Sequence, residues 1–342
     1  MSQKGLGGIN SKSIKVARKG SVKYLQNAKT AKNDDFYTIL SDIEKELKNY
    51  KAHFKDKTVF CNCDDPRVSN FFHYFAYNFE QLGLKKLITT CYKNQNMNLF
   101  SENKSEKAIY LEYTGGNNQN GIPDPKEIGI KYLKGDGDFR SQECIELLKQ
   151  SDIVVTNPPF SLFREYVGQL MKYDKKFLII GNWNAITYKE IFKLIRENKI
   201  WIGINSNRNF SGFIVPKHYP LHGTEARIDE NGNRIVSSNN TCWFTNLDID
   251  KRHEELILYK PYNKTDYPTY DNYNAIEVSK VNEIPIDYKG VIGVPVTFMN
   301  KYNPEQFEIL KCSAYSDTNN YGSGALYVKG KKQYARILIK HK

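Results

Sequence analysis

Four consecutive residues, Asn157-Pro158-Pro159-Phe160, could hold a planar amine for reaction. They follow a short apolar run that predicts a buried strand, and two prolines end a strand because they lack the N–H that a ladder needs. The side-chain carbonyl of Asn157 and the main-chain carbonyl of Pro158 could accept both hydrogens of an exocyclic amine, leaving its lone pair directed at a methyl donor. Phe160 would stack on the base. A turn that only ends the strand is the alternative.

The end of the first predicted strand indicates which donor would suit this chemistry. The run Cys61-Asn62-Cys63-Asp64-Asp65-Pro66 lacks the glycine pattern that cradles a pyrophosphate, and its two carboxylates would repel one. S-adenosylmethionine has no phosphate, is cationic, and presents ribose hydroxyls that need acceptors. We expect one aspartate to contact it and the other to cap the next helix, as Asp65 before Pro66 would do.

A second acidic turn, Gly135-Asp136-Gly137-Asp138-Phe139, is placed to hold an adenine ring. A carboxylate there can accept from an adenine amino group, while the phenyl ring of Phe139 packs on the purine face. The alternative is an ordinary Gly-Asp turn.

Apolar runs alternate with helical patterns from residue 57 onward, which predicts an α/β fold with a doubly wound parallel sheet. The polar segment 94–125 is predicted to be a surface excursion. Asn231-Gly232 predicts a hairpin turn, and 241–247 a closing antiparallel strand. The predicted strands are 57–62, 85–91, 129–133, 152–156, 176–180 and 200–204, and the predicted helices are 41–51, 66–81, 141–150, 161–173 and 187–198.

Composition and charge limit the class of protein. An apolar fraction of 40% without a membrane-length apolar run predicts a soluble protein. The six cysteines form no C-x-x-C pair, so we expect reduced core thiols in an intracellular protein, with no metal site and no disulfide. Residues 1–33 hold eight basic side chains and no acid, which is most of the net charge of +12. This tail should be flexible and could bind a phosphate backbone, or merely solubilise the chain.

The sequence resembles the EcoRI-type modification methylases. The resemblance covers about Asn33 to the C-terminus, and implies a Rossmann-like, S-adenosylmethionine-dependent catalytic domain at 34–250 and a target-recognition region at 251–342. It also implies transfer to N6 of a flipped adenine in a short DNA palindrome such as GAATTC. The motifs that carry it are DDFYT (34–38), CNCDDPRVSNFF (61–72), GDGDFR (135–140), DIVVTNPPFSLF (152–163), FSGFIVPKHY (210–219), GTEARIDENGNRI (223–235) and NPEQFE (303–308).

The same resemblance assigns roles to residues by motif. Phe36, Tyr37 and Thr38 would line the methionine end of the cofactor, and Asp138 and Phe139 would hold its adenine. The segment Ile88-Thr89-Thr90-Cys91-Tyr92 lacks the acid that often binds the ribose, so Asp64 or Asp65 would take that role. Apart from the resemblance, the loops after the sixth predicted strand could rim the pocket, and their basic residues Arg208, Lys217, Arg227 and Arg234 are the candidate DNA contacts. A solvated or phosphate-contacting charge is the alternative to base reading at each of them.

The expected partner is double-stranded DNA in the cytoplasm, with a cognate restriction endonuclease acting on the same site. Two alternatives stay open. One is a methyltransferase for RNA guanine-N2 or for a protein glutamine amide, because an N-P-P-aromatic turn suits any planar nitrogen. The other is a DNA-binding protein without catalytic activity, which the intact NPPF motif disfavours.

Overall fold

The structure is a computed structural model that describes residues 37–92, 107–116, 123–206, 209–215, 221, 226–236, 239–316 and 321–342. Its strands are β1 (Tyr37–Thr38), β2 (Thr58–Cys61), β3 (Lys86–Thr90), β4 (Ile109–Tyr113), β5 (Lys131–Tyr132), β6 (Ile153–Thr156), β7 (Lys176–Asn182), β8 (Trp201–Ser206), β9 (Phe213–Val215), β10 (Arg227–Ile228), β11 (Arg234–Val236), β12 (Thr241–Thr245), β13 (Ile276–Glu277), β14 (Ile292–Pro295), β15 (Phe307–Cys312), β16 (Tyr327–Val328), β17 (Lys331–Lys332) and β18 (Arg336–His341). Its α-helices are α1 (Leu40–Leu47), α2 (Lys51–Phe54), α3 (Asn70–Tyr77), α4 (Phe79–Leu82), α5 (Pro125–Ile128), α6 (Gln142–Gln150), α7 (Phe163–Lys172) and α8 (Lys189–Arg196).

An eight-stranded mixed sheet forms the centre of the fold, in the order β5-β4-β3-β2-β6-β7-β12-β8. The four strands β3, β2, β6 and β7 are parallel to their neighbours within this group. Every residue of β2 and β6 is buried, as expected for a parallel strand covered on both faces. The predicted α/β, Rossmann-like fold class is therefore confirmed.

Helices cover both faces of this sheet because alternate strand residues point to opposite sides. Phe60 and Val154 pack with α6, α7 and α8 on one face. Val59 and Val155 pack with α1, α3 and α4 on the other. Across the described ranges, no helix combines the length and apolar composition that a membrane span requires.

Two helix predictions, one strand prediction and the predicted surface excursion need correction. The helix expected at 66–81 begins only at Asn70 and is interrupted at Asn78, and the one expected at 41–51 is divided by a 3₁₀ turn at Lys48–Tyr50. The segment 94–125 contains β4, which pairs antiparallel with β3. Of 129–133 only β5 forms, with both side chains exposed, and it pairs antiparallel with β4 rather than joining the parallel group.

The antiparallel predictions around residue 240 are confirmed. β10 and β11 form a hairpin, and Gly232 takes a positive φ of 79° in the predicted turn. β12 inserts antiparallel between β7 and β8 and closes the main sheet. The hairpin belongs to a small sheet in the order β1-β9-β11-β10.

The C-terminal part contains a four-stranded sheet in the order β13-β14-β18-β15. One face of this sheet joins the hydrophobic cluster of α8, where Phe192 and Ile309 are both buried. Residues 35–342 form one compact unit by their contacts. The predicted boundary between residues 250 and 251 stays a prediction.

A buried ion pair holds the C-terminal sheet. Arg336 Nη2 donates to Glu277 Oε1 at 2.6 Å, and each side chain is less than a tenth exposed. The Tyr270 hydroxyl and Ser279 Oγ also donate to the Glu277 carboxylate. Removing one member of such a pair leaves a buried charge without compensation.

We therefore expect Arg336→Met to lower the free energy of unfolding by about 3–5 kcal/mol. The double variant Glu277→Gln/Arg336→Met should recover most of that loss, because the amide carbonyl still accepts from the Tyr270 hydroxyl without carrying a charge. Urea denaturation measures both. A single variant as stable as the double would contradict the account.

Candidate active site

The strand order of the main sheet reverses at β2. β3 lies parallel to β2 on one side and β6 lies parallel to it on the other. Ligands of open α/β sheets bind at the carboxyl ends of the strands where the order reverses. The CNCDDP motif follows β2 and the NPPF motif follows β6, so the fold brings the two motifs to the same edge of the sheet. We call this the reversal edge.

Asp64 joins these two motifs directly. Its Oδ2 accepts a hydrogen bond from Thr156 Oγ1 at 2.5 Å, and its Oδ1 accepts one from Ser69 Oγ at 2.8 Å. Its main chain is held to β3, because Asp64 N donates to Thr90 O and Thr89 Oγ1 donates to Asp64 O. The side chain is 8% exposed, and burial raises the pKa of Asp64 to about 6. The carboxylate therefore fixes Thr156, the residue before Asn157.

Asp65 has a different role from the predicted helix cap. Its Oδ1 accepts from Arg67 N and from Arg67 Nε, both at 2.9 Å. Ser69 caps α3 instead, accepting from Phe71 N at 3.1 Å. The expectation that an aspartate caps this helix is wrong, because the main chain turns once more at 65–69 before the helix begins.

The GDGDF turn lies beside the carboxyl end of β3. A Cβ at Gly137 would lie 2.4 Å from Cys91 O, and Gly137 has a φ of 79°, so only glycine fits there. Asp138 Oδ1 accepts from Arg140 Nε at 2.8 Å, which lowers the pKa of Asp138. Asp136 Oδ1 accepts from Asp138 N at 3.0 Å. Asp136 and Asp138 are both part-exposed at the reversal edge.

Tyr166 connects the two acidic motifs. Its hydroxyl donates to Asn62 Oδ1, and its ring meets Phe139 edge-on at a centroid distance of 5.0 Å. Asn62 and Phe139 are 3% and 5% exposed, so most of each predicted cofactor residue is packed within the protein. Burial raises the pKa of Tyr166 well above its usual value, so the hydroxyl remains a donor.

The NPPF turn ends β6 as predicted. Pro158 is buried, and Pro159 O accepts from Leu162 N in the 3₁₀ turn Phe160–Leu162 that leads into α7. The half-buried ring of Phe160 meets Phe213 edge-on at 6.1 Å. Asn157 is also half-buried. The turn is therefore held by packing at both ends.

The small sheet brings Tyr37 and Thr38 of the DDFYT motif to the same region. Thr38 of β1 pairs with Phe213 of β9, the residue that contacts Phe160. Thr38 O also accepts from Asn70 Nδ2 at 2.7 Å. Thr38 is 4% exposed, and its Oγ1 makes no hydrogen bond within the part of the chain that the structure describes. Tyr37 precedes it in β1, whereas Phe36 lies outside the described residues.

Comparison with known families supplies the identification. A sequence model of the family described as adenine-specific methyltransferase EcoRI matches residues 24–342. The chain belongs to this family. The predicted resemblance is confirmed, and the enzyme is an adenine-specific methyltransferase.

Relatives from three organisms support the assignment. The chain is 56% identical to the Type II methyltransferase M.EcoRI of Escherichia coli over 96% of this chain and 99% of the relative. It is 39% identical to the Type II methyltransferase M.MgeORF184P of Mycoplasma genitalium and 38% identical to the Type II methyltransferase M.MpnI of Mycoplasma pneumoniae, each over 93% of this chain and 98% of the relative. No solved structure matches the chain.

The predicted DNA-contacting residues of this methyltransferase are only partly described. Arg208 and Lys217 lie outside the described residues. Arg227 and Arg234 lie on β10 and β11, and Arg227 Nη2 donates to Ser211 O at 2.8 Å. In the same described ranges, no group of three or more His, Cys, Asp and Glu side chains is arranged to hold a metal ion.

Sequence reasoning missed several residues that position the site. They are Ser69, Thr156 and Tyr166, already described, and Asp42, whose carboxylate accepts from Ser211 N at 2.6 Å and from Ser211 Oγ at 2.8 Å. These hydrogen bonds join α1 to the segment just before β9. Tyr166 was detectable as part of the apolar i, i+3, i+4 face of α7, but its partner Asn62 was not.

The buried Asp64 carboxyl predicts a defined pH dependence. Because its pKa is raised in the folded protein, the folded state binds the proton more tightly than the unfolded chain between about pH 4 and pH 6. The contribution of Asp64 to the free energy of unfolding therefore falls by about 3 kcal/mol as pH rises through that interval.

Asp64→Asn lacks this titration. The free energy of unfolding of wild type minus that of Asp64→Asn should therefore fall by about 3 kcal/mol between pH 4 and pH 7. Urea denaturation at each pH measures both values. Asp250→Asn, at an exposed carboxylate, is the control for loss of one carboxylate. A constant difference for Asp64→Asn would show that Asp64 titrates normally.

Proposed function

We propose that the enzyme transfers a methyl group from S-adenosylmethionine to N6 of an adenine in a short palindrome of duplex DNA, GAATTC, and protects that site from a cognate restriction endonuclease in the cytoplasm. The observation that carries the proposal is the position of Asn157-Pro158-Pro159-Phe160 at the reversal edge, anchored through Thr156 and Asp64. The 56% identity to the Type II methyltransferase M.EcoRI supports the DNA substrate and the sequence.

The NPPF turn would hold the target base. Asn157 Oδ1 and the Pro158 carbonyl accept the two amino hydrogens, which directs the nitrogen lone pair out of the ring plane. Phe160 supports the ring by stacking, and the two prolines keep the acceptors in place at little entropic cost. A base within a duplex cannot reach this buried turn, so the adenine must leave the helix.

The residues around the reversal edge fit S-adenosylmethionine. When bound, this cofactor supplies an activated methyl group on a cationic sulfonium. The Thr38 hydroxyl is a buried polar atom at this edge, and the part-exposed carboxylates of Asp136 and Asp138 provide acceptors. Tyr37, with Phe36 before it, would border the methionine end, and Asn62 and Phe139 the adenine end.

Asp64 and Asp65 would have different roles. The Asp64 carboxylate is buried and accepts from Ser69 and Thr156, so we assign it to positioning the NPPF turn. Asp65, part-exposed beside Arg67, is then the acid after β2 that we assign to the ribose hydroxyls.

The rest of the chain would bind the duplex. We assign catalysis to residues 34–250, target recognition to 251–342, and additional phosphate binding to the basic tail at 1–33. Arg227 and Arg234, together with Arg208 and Lys217, would contact DNA beside the pocket. The exposed position of Arg227 on β10 supports this role.

An acceptor comparison tests the proposal. The full chain is incubated with methyl-labelled S-adenosylmethionine and with a GAATTC duplex, the same duplex scrambled, total RNA, or cell protein. We expect label in the GAATTC duplex, recovered as N6-methyladenine. Label in RNA as N2-methylguanine, or in protein glutamine, would overturn the DNA assignment in favour of another planar nitrogen.

Asn157→Ala should lower kcat by a factor of at least about 10²–10³, because one of two acceptors for the target amine is lost. Duplex affinity, measured by fluorescence anisotropy, should remain within about twofold, since the phosphate contacts are intact. Asn49→Ala is the matched control, because the exposed Asn49 amide donates to Lys45 O and Glu46 O of its own turn. Near-normal turnover by Asn157→Ala would refute the proposed role of the turn.

A further inference from the structure

An exposed arginine lies immediately after the NPPF turn. Arg164 is the second residue of α7, four residues beyond Phe160, and its side chain is 62% exposed. Its guanidinium lies over the ring of Tyr188, 5.5 Å from the ring centroid. Tyr188 directly precedes α8 and is 36% exposed. We call these two residues the Arg164–Tyr188 pair.

The pair lies at the carboxyl edge of the sheet. α7 begins after β6 and α8 begins after β7, and β6 and β7 are parallel neighbours. The amino ends of both helices therefore lie on the edge that carries the NPPF turn. This places an exposed cation and an exposed aromatic ring on the same edge of the sheet as the NPPF turn.

Two other arginines near this edge are already committed to acids, and Arg140 Nη1 also lies 3.3 Å from the Glu165 carboxylate on α7. Arg67 Nε lies 2.9 Å from Asp65 Oδ1, and Arg140 Nε lies 2.8 Å from Asp138 Oδ1. Arg164 Nη1 instead lies 3.8 Å from Glu190 Oε2, and the side chains of Arg164 and Glu190 are both more than half exposed. An ion pair of this kind contributes little, so the guanidinium can exchange Glu190 for a stronger anion at small cost.

We propose that Arg164, held over Tyr188, binds a phosphate of the DNA strand that carries the target adenine and thereby positions that strand over the NPPF turn. Arginine suits this role because its planar fork matches phosphate geometry, and stacking on a ring orients the fork before binding. The inference rests on the proposed function, since it assumes a duplex substrate.

The chain offers a matched control for this pair. Lys172 closes α7 and also lies over a tyrosine, 5.5 Å from the Tyr173 ring centroid. It is at the carboxyl end of that helix and therefore on the opposite edge of the sheet. A phosphate contact specific to the NPPF side predicts an effect at Arg164 and none at Lys172.

The test measures binding of the full chain to a fluorescein-labelled GAATTC duplex by anisotropy over a series of salt concentrations. Arg164→Gln should weaken binding about tenfold at low salt, as expected for loss of one charge-assisted hydrogen bond. It should also reduce the slope of log K against log salt by about 0.9, the value for one phosphate. Arg164→Lys should keep the wild-type slope, and Lys172→Gln should match wild type in both quantities.

The possible results distinguish this inference from the proposed function on which it rests. A wild-type chain that methylates the duplex, together with an unchanged slope for Arg164→Gln, overturns the phosphate contact alone. An equal change in Arg164→Gln and Lys172→Gln overturns it as well, because the effect would then be one of net charge. A wild-type chain that neither binds nor methylates the duplex overturns both. Thermal unfolding of each variant verifies that it is folded.

Discussion

The hydrogen bond from Thr156 to the Asp64 carboxylate is the interaction on which the arrangement of the site depends. It joins the end of β2 to the end of β6, the two strands between which the sheet order reverses. Burying a carboxylate is costly unless hydrogen bonds replace its water, and here Ser69 and Thr156 replace it. The rigid NPPF turn begins one residue after Thr156, so its position follows from that buried contact.

The charged groups at the reversal edge differ in how closely they are paired. Asp65 and Asp138 hold Arg67 and Arg140, and both acids remain part-exposed. Arg164 is paired with the exposed Glu190, 3.8 Å away. In the proposed function, a cationic methyl donor and a polyanionic strand would therefore meet different charged groups at the same edge.

The elements that could be predicted from the sequence were those specified by local patterns. The buried runs of β2 and β6, the Asn231-Gly232 turn and the strand β12 were all found in the predicted positions. The NPPF turn was recognisable because two prolines after an apolar run leave few alternatives to a turn that ends a strand. These signals need no knowledge of what the segment contacts elsewhere in the chain.

The parts that could not be predicted depend on contacts between distant residues. β4 was hidden in a polar segment because its regular structure comes from pairing with β3. The choice of Ser69 over Asp65 as helix cap, and the contact of Asp42 with Ser211, depend on how the chain folds back. Sequence could name Asp64 as a functional residue, but not that its carboxylate would be occupied by Thr156.

Base-resolution detection of N6-methyladenine in the genome of cells that express this chain tests the central claim most directly, that the reversal edge holds a flipped adenine for methylation. The account predicts modification of one adenine in nearly every GAATTC site and none above background in cells with the empty vector. A genome without added N6-methyladenine would contradict it.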